Sequence, residues 1–360
     1  MTGFTSACDL ARSQLLERPR CWLVTGAAGF VGSHLVEQLL ELNQQVVGLD
    51  NFATGSKENL LHARASLSPS QRERFQFIEG DIRDPAACEQ ACSGVDFVLH
   101  EAALGSVPRS IKDPLQSHEV NVTGSLRILM AARAAGVRRV VYASSSSVYG
   151  DSPALPKVEG SVGRPLSPYA ATKAANEAYA HAFAKCYGLE IIGLRYFNVF
   201  GPRQNPNGPY AAVIPLWFTG LFHASPVIIH GDGETSRDFC FVENVVHANL
   251  LAALTTEPQA VAQVFNIACG ERTTLNQLFW LMKSEVIQLR PEAAGVEPIH
   301  REPRPGDVRH SLADTSKASR MLGYRVACSL REGLARSARW YSGQAQSRPS
   351  PPAPLEALGP

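Results

Sequence analysis

The stretch from Gly26 to Gly32 restricts this chain more than any other. Gly26, Gly29 and Gly32 recur at intervals of three between an apolar run, Cys21–Thr25, and a segment of helical pattern, Ser33–Leu42. Gly26 permits a tight turn, Gly29 lets the backbone approach a ligand, and Gly32 lets the helix pack on the strand. Around Phe30 and Val31 the helix N-terminus then offers free N–H groups to a diphosphate. A second apolar run, Gln45–Leu49, leads into Asp50. An acid about 20 residues beyond such glycines reads the ribose hydroxyls of an adenosine. Its charge disfavours a 2′-phosphate, so NAD is expected rather than NADP. Taken alone, Asp50 would be a strand-end turn residue. With the strand, the glycines and the helix it implies dinucleotide binding.

The surrounding rhythm fits that turn. Short apolar runs at Phe75–Ile78, Phe97–His100, Val140–Ala143 and Glu190–Tyr196 alternate with helical stretches such as Asn121–Ala135. Alternation of this kind predicts an α/β fold with a parallel, doubly wound, Rossmann-like sheet covered on both faces. Past Gly201 the rhythm breaks, and Val264–Ile267 reads as a strand returning to the sheet. The expected organisation is an N-terminal helical extension over 1–20 and an NAD-binding domain over 21–200 and 233–270. A smaller C-terminal α/β substrate domain follows over 201–232 and 271–343, with a Pro- and Ser-rich disordered tail over 344–360.

Bulk properties exclude several classes. A net charge of +1 over 360 residues argues against nucleic acid and anionic membranes as partners. No apolar run approaches the roughly 20 residues needed to span a bilayer. The N-terminus carries Asp9, Arg12, Glu17 and Arg18, unlike a secretory signal, so a cytoplasmic protein is expected. Cys88 and Cys92 stand at helical spacing without further ligands nearby, so reduced thiols are expected there rather than a metal.

A second constellation carries chemistry. Ser167-Pro168 opens a helix on which Tyr169 and Lys173 fall one turn apart. A tyrosine is a poor base near neutrality because its pKa is about 10. A lysine cation one turn away, together with a positive nicotinamide ring, favours the phenolate. Without context the pair would read as surface chance. The context is the serine run Ser144–Ser147 after a predicted strand, because ligands of open parallel sheets bind beyond the carboxyl ends of the strands. A hydroxyl there can share a hydrogen bond with Tyr169 and a substrate alcohol.

The glycine turn, the serine run and Tyr169-x-x-x-Lys173 together resemble the extended short-chain dehydrogenase/reductase family, over about Cys21 to Tyr341. Leu194-Arg-Tyr-Phe-Asn198, Gly231-Asp-Gly-Glu-Thr-Ser-Arg237-Asp and Arg304-Pro-Gly-Asp307 resemble its UDP-sugar-modifying branch. Gly105-Ser-Val-Pro-Arg-Ser and Phe52-Ala-Thr-Gly are similar to the 4-epimerases in it that prefer N-acetylated sugars. The resemblance implies a UDP-sugar 4-epimerase that works through a 4-keto sugar and retains NAD, built as a homodimer from two helices per subunit. Asp50 and Asn51 are implied to hold the adenosine ribose, and Asp81 and Ile82 to flank the adenine. Ala102, Ala103 and Asn121 are implied to line the cofactor groove, with Tyr196 near the nicotinamide. Asn198, Arg237 and Arg304 are implied on the sugar diphosphate, Asp307 on the uridine-side ribose, and Ser106, Gln204 and Val213 on the substrate. Tyr169, aided by Ser145 or Ser146, is implied to take the proton of the 4-hydroxyl, with Lys173 in support.

Departures from related patterns sharpen the expectation. The 4,6-dehydratases carry adjacent Asp and Glu where this chain has Ser146 and Ser147. Gly105, Ala212 and Ser311 stand where relatives restricted to unmodified sugars place Lys, Asn and Tyr. Smaller residues leave room for a 2-N-acetyl group without strongly rejecting a smaller ligand. The expected activity is therefore interconversion of UDP-GlcNAc and UDP-GalNAc, with weaker action on UDP-Glc and UDP-Gal. Arg109 and Lys112 keep a UDP-glucuronate epimerase or decarboxylase as the alternative. A non-enzymatic NAD sensor would lack Tyr169 or Lys173.

Overall fold

The computed structural model describes residues 6–207, 211–303 and 308–346. The chain forms two compact units: residues 1–199, 238–271 and 311–328 make the first, and 200–237, 272–310 and 329–360 the second.

The first unit is built on seven parallel strands: β1 (Cys21–Thr25), β2 (Gln45–Asp50), β3 (Phe75–Glu79), β4 (Phe97–His100), β5 (Arg139–Ser145), β6 (Glu190–Tyr196) and β7 (Val264–Ile267). Their order is β7-β6-β5-β4-β1-β2-β3. The register places Trp22 beside Val46 and Phe97, and Tyr196 beside Ser145 and Ile267. This is the expected doubly wound α/β sheet. The winding reverses between β1 and β4, and a crevice opens there beyond the carboxyl ends of the strands.

Helices cover both faces, which is why β4 is buried at every position and reads as a continuous apolar run. The main ones are α1 (Ala7–Glu17), α2 (Phe30–Glu41), α3 (Ser125–Ala134), α4 (Pro168–Tyr187) and α5 (Val242–Leu254). Leu35, Val36 and Leu39 of α2 and Val245 and Leu250 of α5 share one core with Trp22, Leu99 and Ile192. Ile128 and Leu129 of α3 and Ala180 and Phe183 of α4 share another with Leu23, Val98 and Ile191. α2 begins at Phe30, earlier than the apolar pattern suggests, because Gly29 serves as its N-cap. The stretch expected as one helix from Asn121 opens instead with a widened helical turn over Glu119–Gly124.

The N-terminal extension is helical and belongs to this unit. Ser6 and Asp9 form a reciprocal cap at 3.1 and 3.2 Å, and Ala11 and Leu15 join the α2/α5 core. Gln44 fixes its end: its amide donates to Leu15 O at 2.9 Å and Leu42 O at 2.6 Å, and accepts from Arg20 N at 2.9 Å and Trp22 Nε1 at 3.3 Å. All four hydrogen-bonding positions of a fully buried amide are thereby satisfied.

The second unit is smaller. Val227–His230 pairs with Pro298–Arg301 in parallel, and Ser236–Arg237 with Thr273–Thr274 antiparallel. Helices Val213–Phe222, Leu275–Ile287 and Leu330–Gln346 bury Phe218, Phe222, Phe279 and Met282. Phe218 stacks on Tyr341 at 5.3 Å. Residues 344–346 of the expected disordered tail close the last helix; 347–360 lie outside the described residues. Residues 311–328 join the first unit, because Ala318, Leu322 and Tyr324 are buried in its core and the Tyr324 hydroxyl donates to Ala268 O at 2.8 Å.

Candidate active site

The glycine turn closes on itself. Gly26 adopts φ +66°, and a Cβ there would stand 2.9 Å from Ala102 Cα. A Cβ on Gly32 would fall 2.0 Å from Gly26 O, and one on Gly29 3.0 Å from the same oxygen. Helix and strand therefore meet more closely than any side chain allows. Gly29 caps α2 without a side chain, so the amides of Phe30, Val31 and Gly32 face the crevice end uncapped. Asp50 is buried at the end of β2, where its carboxylate accepts from Ala28 N at 2.9 Å and Phe52 N at 2.7 Å. Burial pushes its pKa up against these bonds. The turn, the uncapped helix and the acid fit a diphosphate-linked adenosine. Asn51 donates to Asp81 at 2.9 Å, and Arg83 holds Asp81 at 2.8 Å. Ile82 is buried so close to Gly124 that a Cβ there would meet its Cδ1 at 2.6 Å.

Ala102 N donates to Thr25 Oγ1 at 3.2 Å, which fixes the start of the segment after β4; Ala103 follows, partly buried. Asn121 anchors this segment from behind. Its Oδ1 accepts from Leu104 N at 2.7 Å, and its Nδ2 donates to Leu104 O and Thr172 Oγ1, both at 3.1 Å. Thr172 lies on α4, so Asn121 couples the loop after β4 to the helix carrying Tyr169.

Ser167 caps α4, and Tyr169 N is held by Ser110 Oγ at 3.0 Å. Ser145, the last residue of β5, stands near enough to the Tyr169 phenol to lower its pKa. Ser144 faces the other way, donating to Glu177 at 2.6 Å, and Ser146 begins the short turn beyond the strand. Of the two candidate serines, Ser145 is the one brought to Tyr169. Lys173 is buried, with Nζ donating to Ala143 O at 2.8 Å and 6.0 Å from the Tyr169 ring centre. Burial lowers its pKa to about 8, opposed by Glu101 and Glu177. Burial raises Tyr169, and Ser145 works against it. The chain's own groups thus keep the phenol protonated; a cation bound beside it favours the phenolate.

Sequence reasoning missed three features here. The Tyr196 hydroxyl donates to Glu101 at 2.8 Å and accepts from Asn249 Nδ2 at 2.8 Å. Burial pushes Glu101 up to about 7, with the Tyr196 hydrogen bond opposing. Glu177 receives both arms of Arg195, at 2.8 and 2.7 Å. His100, bridging Thr25 at 2.7 Å and Ser125 at 2.9 Å, is held neutral by burial, at about 3. A polar pair, His100-Glu101, closing an apolar strand was the available signal.

Among the substrate candidates, Gly105 is exposed, and a Cβ there meets nothing within 4 Å. Ser106 adopts φ 114° and caps the helix Val107–Lys112, accepting from Arg109 N at 3.2 Å; that helix carries Arg109 and Lys112. Asn198 is exposed at φ 30°, its carbonyl accepting from Cys240 N at 3.3 Å. Ser311 is partly buried in the first unit. In the second unit, Gln204 O accepts from the Tyr341 hydroxyl at 2.6 Å, and Ala212 precedes the helix that begins at Val213. Arg237 donates to Ser236 O at 3.0 Å and Arg309 O at 3.3 Å, while Asp232 pairs with Arg309 at 3.0 Å. Arg304 and Asp307 lie outside the described residues. Cys88 and Cys92 are buried thiols, each pushed up to about 12 mainly by burial. No helix among the described residues is long and apolar enough to cross a membrane.

The parallel sheet, the glycine turn and the Ser–Tyr–Lys group define a nucleotide-dependent enzyme of the extended short-chain dehydrogenase/reductase class. Residues 22–268 match the NAD dependent epimerase/dehydratase family, and the chain belongs to it; its cofactor is NAD. It is 38% identical over 326 residues to the UDP-glucose 4-epimerase of Mycolicibacterium smegmatis, covering 90% of this chain and 99% of that one. A solved UDP-N-acetylglucosamine 4-epimerase from Methanobrevibacter ruminantium, in complex with UDP-N-acetylmuramic acid, is 37% identical with a TM-score of 0.82, covering 91% and 99% of the two chains. The UDP-glucose 4-epimerase of Thermotoga maritima with UDP-glucose is 36% identical with a TM-score of 0.81, covering 90% and 99%.

Proposed function

We propose that this protein is a UDP-sugar 4-epimerase that prefers N-acetylated hexoses, interconverting UDP-GlcNAc and UDP-GalNAc and acting more slowly on UDP-Glc and UDP-Gal. The observation that carries the reaction type is Tyr169 with buried Lys173 Nζ 6.0 Å from its ring and Ser145 at the end of the adjoining strand, followed by serines where a dehydration would need carboxylates. NAD, when bound, supplies the redox step at C4. Tyr169, assisted by Ser145, moves the proton of the 4-hydroxyl, and Lys173 supports the phenolate. The glycine turn and Asp50 hold the adenosine diphosphate, and Asn198, Arg237, Arg304 and Asp307 the UDP moiety.

The substrate preference rests on the open space at Gly105 and the small residues Ala212 and Ser311. Arg109 and Lys112 alone do not favour a C6 carboxylate over this reading. The test is an NMR time course of the purified protein with UDP-GlcNAc and, separately, UDP-Glc, without added NAD. UDP-GalNAc forming faster than UDP-Gal is expected. Turnover of UDP-Glc alone overturns the preference, and carbon dioxide release from UDP-glucuronate would reassign the reaction. The exposed apolar side chains of α3 and α4 support a homodimer through those helices.

A further inference from the structure

The winding of the sheet reverses between β1 and β4, and a polar pair stands at that point. Thr25 ends β1, His100 ends β4, and the parallel register sets the two side by side. Side chains alternate along a strand, so both point to the face of Leu23 and Val98, which α3 and α4 cover. The residue after Thr25 is Gly26, the first of the glycine turn. The pair therefore sits next to the turn and against the layer that carries Tyr169.

The His100 ring completes a continuous chain of hydrogen bonds between them. Its Nδ1 lies 2.7 Å from Thr25 Oγ1, and its Nε2 lies 2.9 Å from Oγ of Ser125, the first residue of α3. Ser125 Oγ donates to Asn121 O at 2.6 Å, Asn121 Nδ2 to Thr172 Oγ1 at 3.1 Å, and Thr172 Oγ1 to Tyr169 O at 2.7 Å. A branch runs from Asn176 Nδ2 to Ser125 Oγ at 3.3 Å. Thr172 and Asn176 flank Lys173 on α4, so the helix is held on both sides of its lysine. Every side chain that makes these links is buried, where water does not compete.

The protons have one consistent arrangement. The single hydroxyl proton of Ser125 goes to Asn121 O, so Ser125 Oγ meets the ring as an acceptor and Nε2 carries the N–H. Nδ1 then accepts the Thr25 hydroxyl, whose oxygen accepts from Ala102 N at 3.2 Å. A neutral imidazole, with one donor and one acceptor on different sides, meets both demands. An aliphatic side chain meets neither.

We infer that His100 is a positioning residue for the epimerase reaction: through Thr25 on one side and Ser125 on the other, it fixes the glycine turn and the Tyr169–Lys173 helix at one spacing. The inference rests on the reading of Tyr169 and Lys173 given above. It extends that reading to a residue that acts through its neighbours rather than on the reacting atoms. Proton and hydride transfer need Tyr169 and the cofactor in register, and a displacement of about 1 Å costs on the order of 100-fold in rate. Binding of the UDP-sugar does not depend on that register, so a loosened chain should lower kcat and spare KM.

Thr25→Val and Ser125→Ala cut the chain on either side of the ring. Each should lower kcat about 10-fold on the faster of UDP-GlcNAc and UDP-Glc, with KM within about two-fold of wild type. Links in series fail together, so the double variant should also lie about 10-fold down, not about 100-fold. His100→Gln, which retains a donor and an acceptor, should recover part of the kcat that His100→Phe loses, and this comparison serves if a Thr25 or Ser125 variant does not fold. Single variants within about two-fold of wild type in kcat, or losses that multiply in the double variant, overturn the inference.

A second readout needs no turnover. The Tm losses of Thr25→Val and Ser125→Ala should sum to more than the loss in the double variant, and should add fully once His100→Phe is present in every protein of the set. If wild type epimerises no UDP-sugar, the functional reading falls, and the Tm comparison still decides whether His100 joins the two ends. Tm losses that add fully with His100 in place overturn the bridge itself.

Discussion

The proposed substrate preference can be tested at a single residue, Gly105. A side chain can be added there without meeting anything within 4 Å, and its φ is not in the left-handed region, so a larger residue should fold. Gly105→Lys is expected to lower kcat/KM for UDP-GlcNAc about 10- to 100-fold while changing UDP-Glc far less, the range a pocket contact commands. Competition kinetics with both sugars checks this, and equal losses on the two would remove Gly105 from the specificity argument. At this scale the sequence was only partly legible. Alternation along β5 requires Ser144 and Ser145 to face opposite ways, but composition does not reveal which faces Tyr169. The phase is set by Glu177 and Arg195, which claim Ser144. Glu101 was invisible for a related reason: a carboxylate just past a buried strand looks solvated until Tyr196 and Asn249 fold over it.

The helix carrying Tyr169 and Lys173 is positioned as an element rather than by those residues alone. Arg195 is 4% exposed and Glu177 16%, and their bidentate pair ties α4 to β6, while Ser144 ties the same carboxylate to β5. Glu177→Ala would leave a buried guanidinium without its counter-charge, at a cost of about 3–5 kcal/mol. Urea denaturation of the two proteins should read that loss. A change under about 1 kcal/mol would mean that water replaces the carboxylate, as it does for exposed pairs. Strands were the most legible elements, because burial on both faces writes them as apolar runs; four of the seven match their observed bounds. Helix starts were less so. Gly29 can cap α2 without a side chain, so the signal for its first turn is geometric rather than chemical.

At the scale of the molecule, apolar periodicity told the sheet order's class but not how the late segments divide. Residues 311–328 look like substrate-domain sequence, yet three of their side chains, Ala318, Leu322 and Tyr324, complete the first unit's core. Assembly is the remaining question at this scale. α3 and α4 lie on one face of the sheet, where Met130 and Tyr179 are 55% and 41% exposed. Exposed apolar side chains on the helices of a single layer suit a two-fold contact with a second copy. Light scattering should give twice the chain mass of 38.9 kDa. Met130→Glu combined with Tyr179→Glu would place like charges across that two-fold and should return the mass of one chain with the fold retained by circular dichroism. A wild-type monomer, or a dimer indifferent to both substitutions, would move the interface away from α3 and α4.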